Sequence, residues 1–207
     1  FTDLLHDFIK EVIGKLTVVV AHGLTSAYVI ADAYRRPQLF ERLILVSPPP
    51  AILEEKNAGP LNGALKALLR TPVLGQFVYN ILASRPAIRG YYDNEGYHNP
   101  GLITDDLVEY VYTSAHQPNS RYAAASVISN ALNMDVHEAF ARLQMPVVVI
   151  IGREGPTNPT EASAGFTHAN KNAEVRILDK SMQNPQEEQS NTFNNFVREF
   201  AGTAVKQ

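Results

Sequence analysis

The chain contains no cysteine. Disulfides, thiolate nucleophiles and zinc–thiolate centres are therefore excluded, and neither a reducing nor an oxidising compartment is indicated. It also lacks any block of like charge. The 18 Lys and Arg against 21 Asp and Glu leave a net charge of −3, and no basic run exceeds two residues. Nothing in that pattern is built to neutralise phosphate, so no nucleic-acid partner is expected. Long apolar runs are missing as well: Ala27 to Ala31 and Val147 to Ile151 fall far short of the roughly 20 residues of a membrane span, so no transmembrane segment is expected. The first residues, Phe-Thr-Asp-Leu-Leu-His-Asp, lack the basic start and apolar core of a secretory signal. The chain begins with Phe1 instead of Met, which predicts processing, a fragment or a missing start. The 12 Gly and 13 Pro are an ordinary share of 207 residues, which excludes collagen-like and low-complexity classes.

What is present alternates between two periodicities. Phe1, Leu4, Leu5, Phe8, Ile9 and Val12 recur at helical spacing ahead of Gly14, predicting an amphipathic helix over residues 2–13. Leu16 to Ala21 is a β-branched run, apolar except for Thr17, of the kind buried on both faces of a parallel sheet. A turn, His22-Gly23-Leu24-Thr25, leads into a helical stretch from Ser26 to Tyr34, and Leu43 to Val46 reads as a second buried strand. Strand, helix and strand in this order form a βαβ unit of a parallel sheet.

From Pro60 to Arg142 only helical patterns occur. Thr71-Pro72 supplies a cap with proline at the first helical position, and Asp135 with Glu138 resembles a capping box. Val147 to Ile151 resumes the buried-strand signature, Glu174 to Leu178 is a last strand, and a closing helix is predicted over Ser190 to Phe200. The fold class is α/β.

Three stretches in this order resemble the α/β-hydrolase superfamily with a cap domain. Val18-Val19-Val20-Ala21-His22-Gly23-Leu24-Thr25-Ser26-Ala27 resembles its strand, nucleophile elbow and helix. Ile150-Ile151-Gly152-Arg153-Glu154-Gly155-Pro156 resembles the loop that carries the catalytic acid, and Leu178 to Gln189 resembles the loop of the catalytic histidine, two residues ahead of a proline. The resemblance implies a parallel sheet lacking the N-terminal strands, with residues 1–52 and 143–207 forming the core and residues 53–142 a helical cap insertion.

On that resemblance all three catalytic positions are vacated. The nucleophile position is Gly23, the acid position Gly155 and the histidine position Gln183. Glycine offers no side chain, and a glutamine amide is no base near neutral pH. With Ala21 and Thr25 in place of the elbow's flanking glycines, the strained turn is expected to have relaxed. The implied function is a catalytically degenerate fold member serving as a ligand-binding or complex-assembly component. The alternative is a hydrolase of an ester or other small apolar substrate, with an unconventional nucleophile or residues outside this chain.

Other chemistry-bearing residues have plain readings. His22 is read as an ordinary elbow residue, Thr25 and Ser26 as helix caps, Glu154 as a solvated loop glutamate, and Glu187 with Glu188 as favourable charge at a helix N-terminus. The remaining histidines show no metal-ligand spacing, so neither metal nor cofactor is expected. Tyr91, Tyr92, Tyr97, Tyr110, Tyr112 and Tyr122 either pack the insertion or line a pocket for an apolar small-molecule ligand, with His22, Leu24, Tyr91, Tyr92 and Tyr112 as the contacts. The Leu61 to Leu82 stretch, with only Lys66 and Arg70 as basic residues, is read as cap core in preference to a membrane-lying helix. The strand over residues 16–21 would form the sheet edge without lysine, proline or bulge to protect it, so a protein neighbour or a missing segment is expected to pair with it.

Overall fold

A computed structural model describes residues 1–53, 60–156 and 163–202, and the chain divides into two compact units. The first unit comprises residues 1–55 and 134–207. Its centre is a sheet of four parallel strands, β1 (Thr17–His22), β2 (Phe40–Val46), β3 (Val147–Gly152) and β4 (Ala173–Leu178), ordered β1-β2-β3-β4. Val20 stands opposite Ile44, Ile44 opposite Val148, and Val148 opposite Glu174.

The two faces of this sheet explain why β2 and β3 are apolar at successive positions. Leu43, Leu45, Val147, Val149 and Ile151 pack on one face against Ala27, Ile30, Ala31 and Ala33 of α2 (Thr25–Arg35) and against Phe140 and Phe166. Ile44, Val46, Val148 and Ile150 point the other way, against Phe193 of the closing helix, which spans Ser190–Phe200. Phe140 lies on a short helix, His137–Ala141, whose first N–H donates to Asp135 Oδ1 (2.9 Å). The expected burial of β1 on both faces does not hold: Val20 is 50% exposed and only Ala21 is buried. The reason is position, because among the described residues β1 has a neighbour on one side only.

The helix predicted over residues 2–13 forms as α1 (Thr2–Asp7), followed without a break by a π-helical turn, Phe8–Ile13. It ends at Gly14, whose φ of +63° is the left-handed conformation that glycine adopts freely. Its apolar stripe is not the buried face expected. Ile9 is buried, whereas Phe1, Leu4, Phe8 and Val12 are exposed. Charge adds to the packing of Ile9 and Leu5 and the contact of Phe1 with Tyr28: Arg36 donates to Asp32 Oδ1 at 2.6 Å and to Asp3 Oδ1 at 3.4 Å. Asp32 is fully buried, and its other oxygen faces His6 Nδ1 at 3.9 Å.

The second unit, residues 56–133, is helical. It contains α3 (Pro60–Arg70), α4 (Leu74–Leu82), α5 (Arg85–Tyr91), α6 (Asp105–Ala115) and α7 (Ser120–Ile128). One cluster, Leu69, Tyr79, Ala83 and Ala125, joins α3, α4 and α7; another, Ile88, Tyr97, Ile103 and Val108, joins α5 and α6. Ser84 and Thr104 cap α5 and α6, each accepting a backbone N–H three residues on. Thr71 contributes a cap as its sequence suggests, but Pro72 does not start α4. The Thr71 hydroxyl accepts from Gly75 N–H (2.8 Å), and the helix begins at Leu74.

Candidate functional site

In an open parallel sheet the carboxyl ends of the strands are where ligands bind and where loops carry chemistry. Here β1 leads into Gly23, β2 into Ser47, β3 into the 152–155 loop and β4 into the 179–184 loop, and these segments are laced together by backbone contacts. Gly23 N–H donates to Val46 O at 2.8 Å, and Gly23 has φ of +58°. The expected relaxation of the turn is thus not observed. The left-handed kink persists, carried by a residue that adopts it without strain. A Cβ added at Gly23 would meet no atom within 4 Å.

His22 sits beside this kink, and its Nε2 lies 3.0 Å from Gln183 O. A carbonyl only accepts, so Nε2 is the protonated nitrogen and cannot act there as a base. Ser26, one turn on, is fully buried with its hydroxyl 3.5 Å from Ala21 O, a backbone-bonding role as its sequence position suggests. Thr25 is exposed, and Leu24 is partly buried next to Gly23.

The loop after β3 is seated on the loop after β4. A Cβ at Gly152 would stand 2.1 Å from Met182 O, so only glycine admits this approach. Glu154 donates its N–H to Ser181 O (3.0 Å) and accepts Ser181 N–H on Oε2 (2.9 Å). It is therefore a strut between loops, in correction of its reading as a solvated glutamate. Glu188 likewise accepts Met182 N–H at 2.7 Å, a contact to the loop beyond the helix-end role expected of it. Arg153 hydrogen-bonds Asp179, which pushes its guanidinium pKa further upward. At Gly155 an added Cβ would be 3.5 Å from the Met182 carbonyl carbon, an ordinary contact.

The structure therefore brings the segments around Gly23, Gly155 and Gln183 together. It also places there two residues with no sequence signal. Ser47 is buried with φ of +44°, a conformation costly for a residue with a Cβ, and neither its hydroxyl nor that of buried Ser181 has a hydrogen-bond partner among the described residues. The tyrosines lie in the second unit, where Tyr91, Tyr92, Tyr97 and Tyr112 are engaged inside it and Tyr110 is exposed. Tyr92 stacks on Tyr97 (5.3 Å between ring centres), Tyr91 meets Tyr92 edge-on (5.5 Å), and Tyr112 packs between the Arg85 guanidinium (3.6 Å) and the His116 ring (4.0 Å). Among the described residues no group of three His, Asp or Glu side chains is placed to hold a metal ion.

No protein-family profile and no curated protein matches this sequence. Solved structures do match. A mutant of the meta-cleavage product hydrolase CumD superposes with a TM-score of 0.73 at 20% identity, over 98% of this chain and 71% of that one. An alpha/beta hydrolase enzyme from a Medee basin deep-sea metagenome library gives 0.65 at 13% identity, over 100% of this chain and 72% of that one. The fold is that of an α/β hydrolase. Est816, described as an N-acyl homoserine lactone degrading enzyme, shares this α/β-hydrolase fold with a TM-score of 0.70 at 14% identity, over 96% of this chain and 73% of that one. At such identities the likeness is one of architecture, and residue roles have to be argued from the site itself.

Proposed function

We propose that this chain is a catalytically degenerate α/β-hydrolase-fold protein, acting as a ligand-binding or assembly component, with the helical unit as its cap. The observation that carries the reading is the state of the carboxyl-end loops. They are assembled in detail, yet Gly23 and Gly155 present no side chain, and His22 is engaged by the Gln183 carbonyl through its protonated nitrogen. Triad hydrolysis needs a hydroxyl or carboxylate nucleophile, a base within hydrogen-bond reach and a carboxylate to orient that base. Glu154, the carboxylate nearest the acid position in sequence, is committed to Ser181 N–H. The assembly side of the proposal rests on β1, whose apolar run is half exposed at the sheet edge and is suited to a neighbouring segment or protein.

The test is hydrolysis of p-nitrophenyl esters together with labelling by a fluorophosphonate probe. The expected outcome is turnover at the buffer rate and no label. Turnover that the probe abolishes would overturn the proposal in favour of an unconventional nucleophile, which mass spectrometry of the labelled peptide would locate.

A further inference from the structure

The helix α4 has one polar pair, Gln76 donating to Asn80 at 2.8 Å, and is apolar over the rest of its circumference. Gly75, Tyr79 and Ala83 recur every four residues and are buried in the cluster with α3 and α7. On the opposite side Val73, Leu74, Phe77 and Ile81 are 84%, 54%, 63% and 55% exposed. At 100° per residue these four form a stripe about 100° wide without a polar interruption. A contiguous exposed apolar patch of this kind marks a surface that something covers. The expectation that this stretch is cap core is thus corrected for half of its circumference.

The charge around the stripe says what covers it. Residues 56–92 contain no Asp or Glu but carry Lys66, Arg70, Arg85 and Arg89, and residues 110–133 again hold no acid but include Arg121. The acids of this unit all lie between Asp93 and Glu109, where Glu109 pairs with Arg85 and Asp105 with Arg89. Lys66, Arg70 and Arg121 form no ion pair among the described residues. Arg70 and Arg121 flank the Tyr122 ring (5.8 and 4.8 Å), and Arg121 donates to the carbonyls of Thr71 and Pro72, at the start of the stripe. The arrangement joins an aliphatic and aromatic stripe, an arginine–tyrosine cluster at its end and helices α3, α4 and α7 that carry no acid.

We propose that α4 is a membrane-surface element, lying in the plane of an anionic bilayer with Val73, Leu74, Phe77 and Ile81 in the headgroup–acyl boundary and Lys66, Arg70 and Arg121 on lipid phosphates. A nine-residue helix is about 13 Å long, sufficient to lie along the interface and too short to cross it. Tyr122, its ring beside two guanidinium groups, fits the depth where tyrosine is enriched in membrane proteins. The proposal is independent of the loss of triad chemistry, since the stripe lies in the helical unit and its readout involves no hydrolysis.

The test is sedimentation of the full chain with vesicles of phosphatidylcholine alone or with roughly a third phosphatidylglycerol, the lipid mixture in which basic residues gain about 1 kcal/mol each, a factor of about five. Binding is expected to the anionic vesicles, with weak retention on the neutral ones. Phe77→Asp with Ile81→Asp should lower it by more than tenfold. Lys66→Gln with Arg70→Gln should lower it by about 25-fold while leaving helicity by circular dichroism unchanged. Tyr110→Asp, an exposed aromatic on the acidic helix α6, should bind as the parent does. Failure to bind either vesicle at low salt would overturn the proposal, as would undiminished binding by the Phe77→Asp, Ile81→Asp variant. A dimer in light scattering that this same variant dissolves would assign the stripe to a second copy of the chain and overturn it equally.

Discussion

β1 and β3 are two valine-rich strands in different places. Each has six residues, Thr-Val-Val-Val-Ala-His and Val-Val-Val-Ile-Ile-Gly, and each reads as a strand apolar at successive positions. Every residue of β3 is buried, between β2 and β4 and between two helical layers; in β1 only Ala21 is buried. Composition thus decides that a segment is a strand, and its place in the sheet order decides how much of its apolar surface leaves water. Since hydrophobic stabilisation follows the area removed from water, valines on the two strands make unequal contributions.

That inequality is open to direct measurement by denaturant unfolding. Gly152→Ala should have the largest effect, about 4 kcal/mol or more, because its Cβ would meet the Met182 carbonyl oxygen at 2.1 Å and backbone has to move. Ile150→Ala, which empties a fully buried site beneath the closing helix, should cost about 3 kcal/mol. Val20→Ala on β1 should cost less than about 0.5 kcal/mol. A Val20→Ala effect comparable to that of Ile150→Ala would mean that the native particle covers β1. Amide exchange would then be slow on both flanks of Val18 to Val20, where the present geometry gives one slow flank and one fast.

The smallest effect is expected away from the sheet, and it calibrates surface charge. The hydrogen bond from Arg85 holds Glu109 below the usual carboxylate range, so the pair stabilises above that range and the stabilisation is lost as pH falls through the lowered value. Glu109→Gln should flatten the acid limb of the stability profile and change little at neutral pH. With both groups exposed, the difference should be at the edge of detection in thermal melts.

The strands, their order and the closing helix were legible because apolar runs and helical spacing are local signals. Ser190–Phe200 forms as the periodicity predicts, and β1 takes the edge position that element order implies. The proximity of the segments holding Gly23, Gly155 and Gln183 was legible in the order of the elements. The fastenings of these segments were not. That Glu154 and Glu188 accept backbone N–H groups across 27 and six residues depends on loop placement, and nothing distinguishes such a glutamate from a solvated one in the sequence. The left-handed Ser47 is equally silent, because serine carries no marker for that conformation. The exposure of α4 escaped for the opposite reason. A helix apolar over most of its circumference reads as buried, and periodicity cannot say which part of it finds a partner.

The attachment of α1 has a consequence for the order in which the molecule comes apart. Most of its apolar side chains are exposed, and the segment through Gly14 is joined to α2 by Ile9 and Leu5 in the core cluster, by Phe1 against Tyr28 and by the Arg36 bridge between Asp3 and Asp32. The Asp3 half of that bridge faces solvent and is screened by salt, while the Asp32 half lies within α2 and survives when α1 leaves. Release of the N-terminal segment is therefore a sub-global opening that ionic strength favours and that leaves the sheet folded. It would bare the outer flank of α2 without exposing an unpaired buried charge.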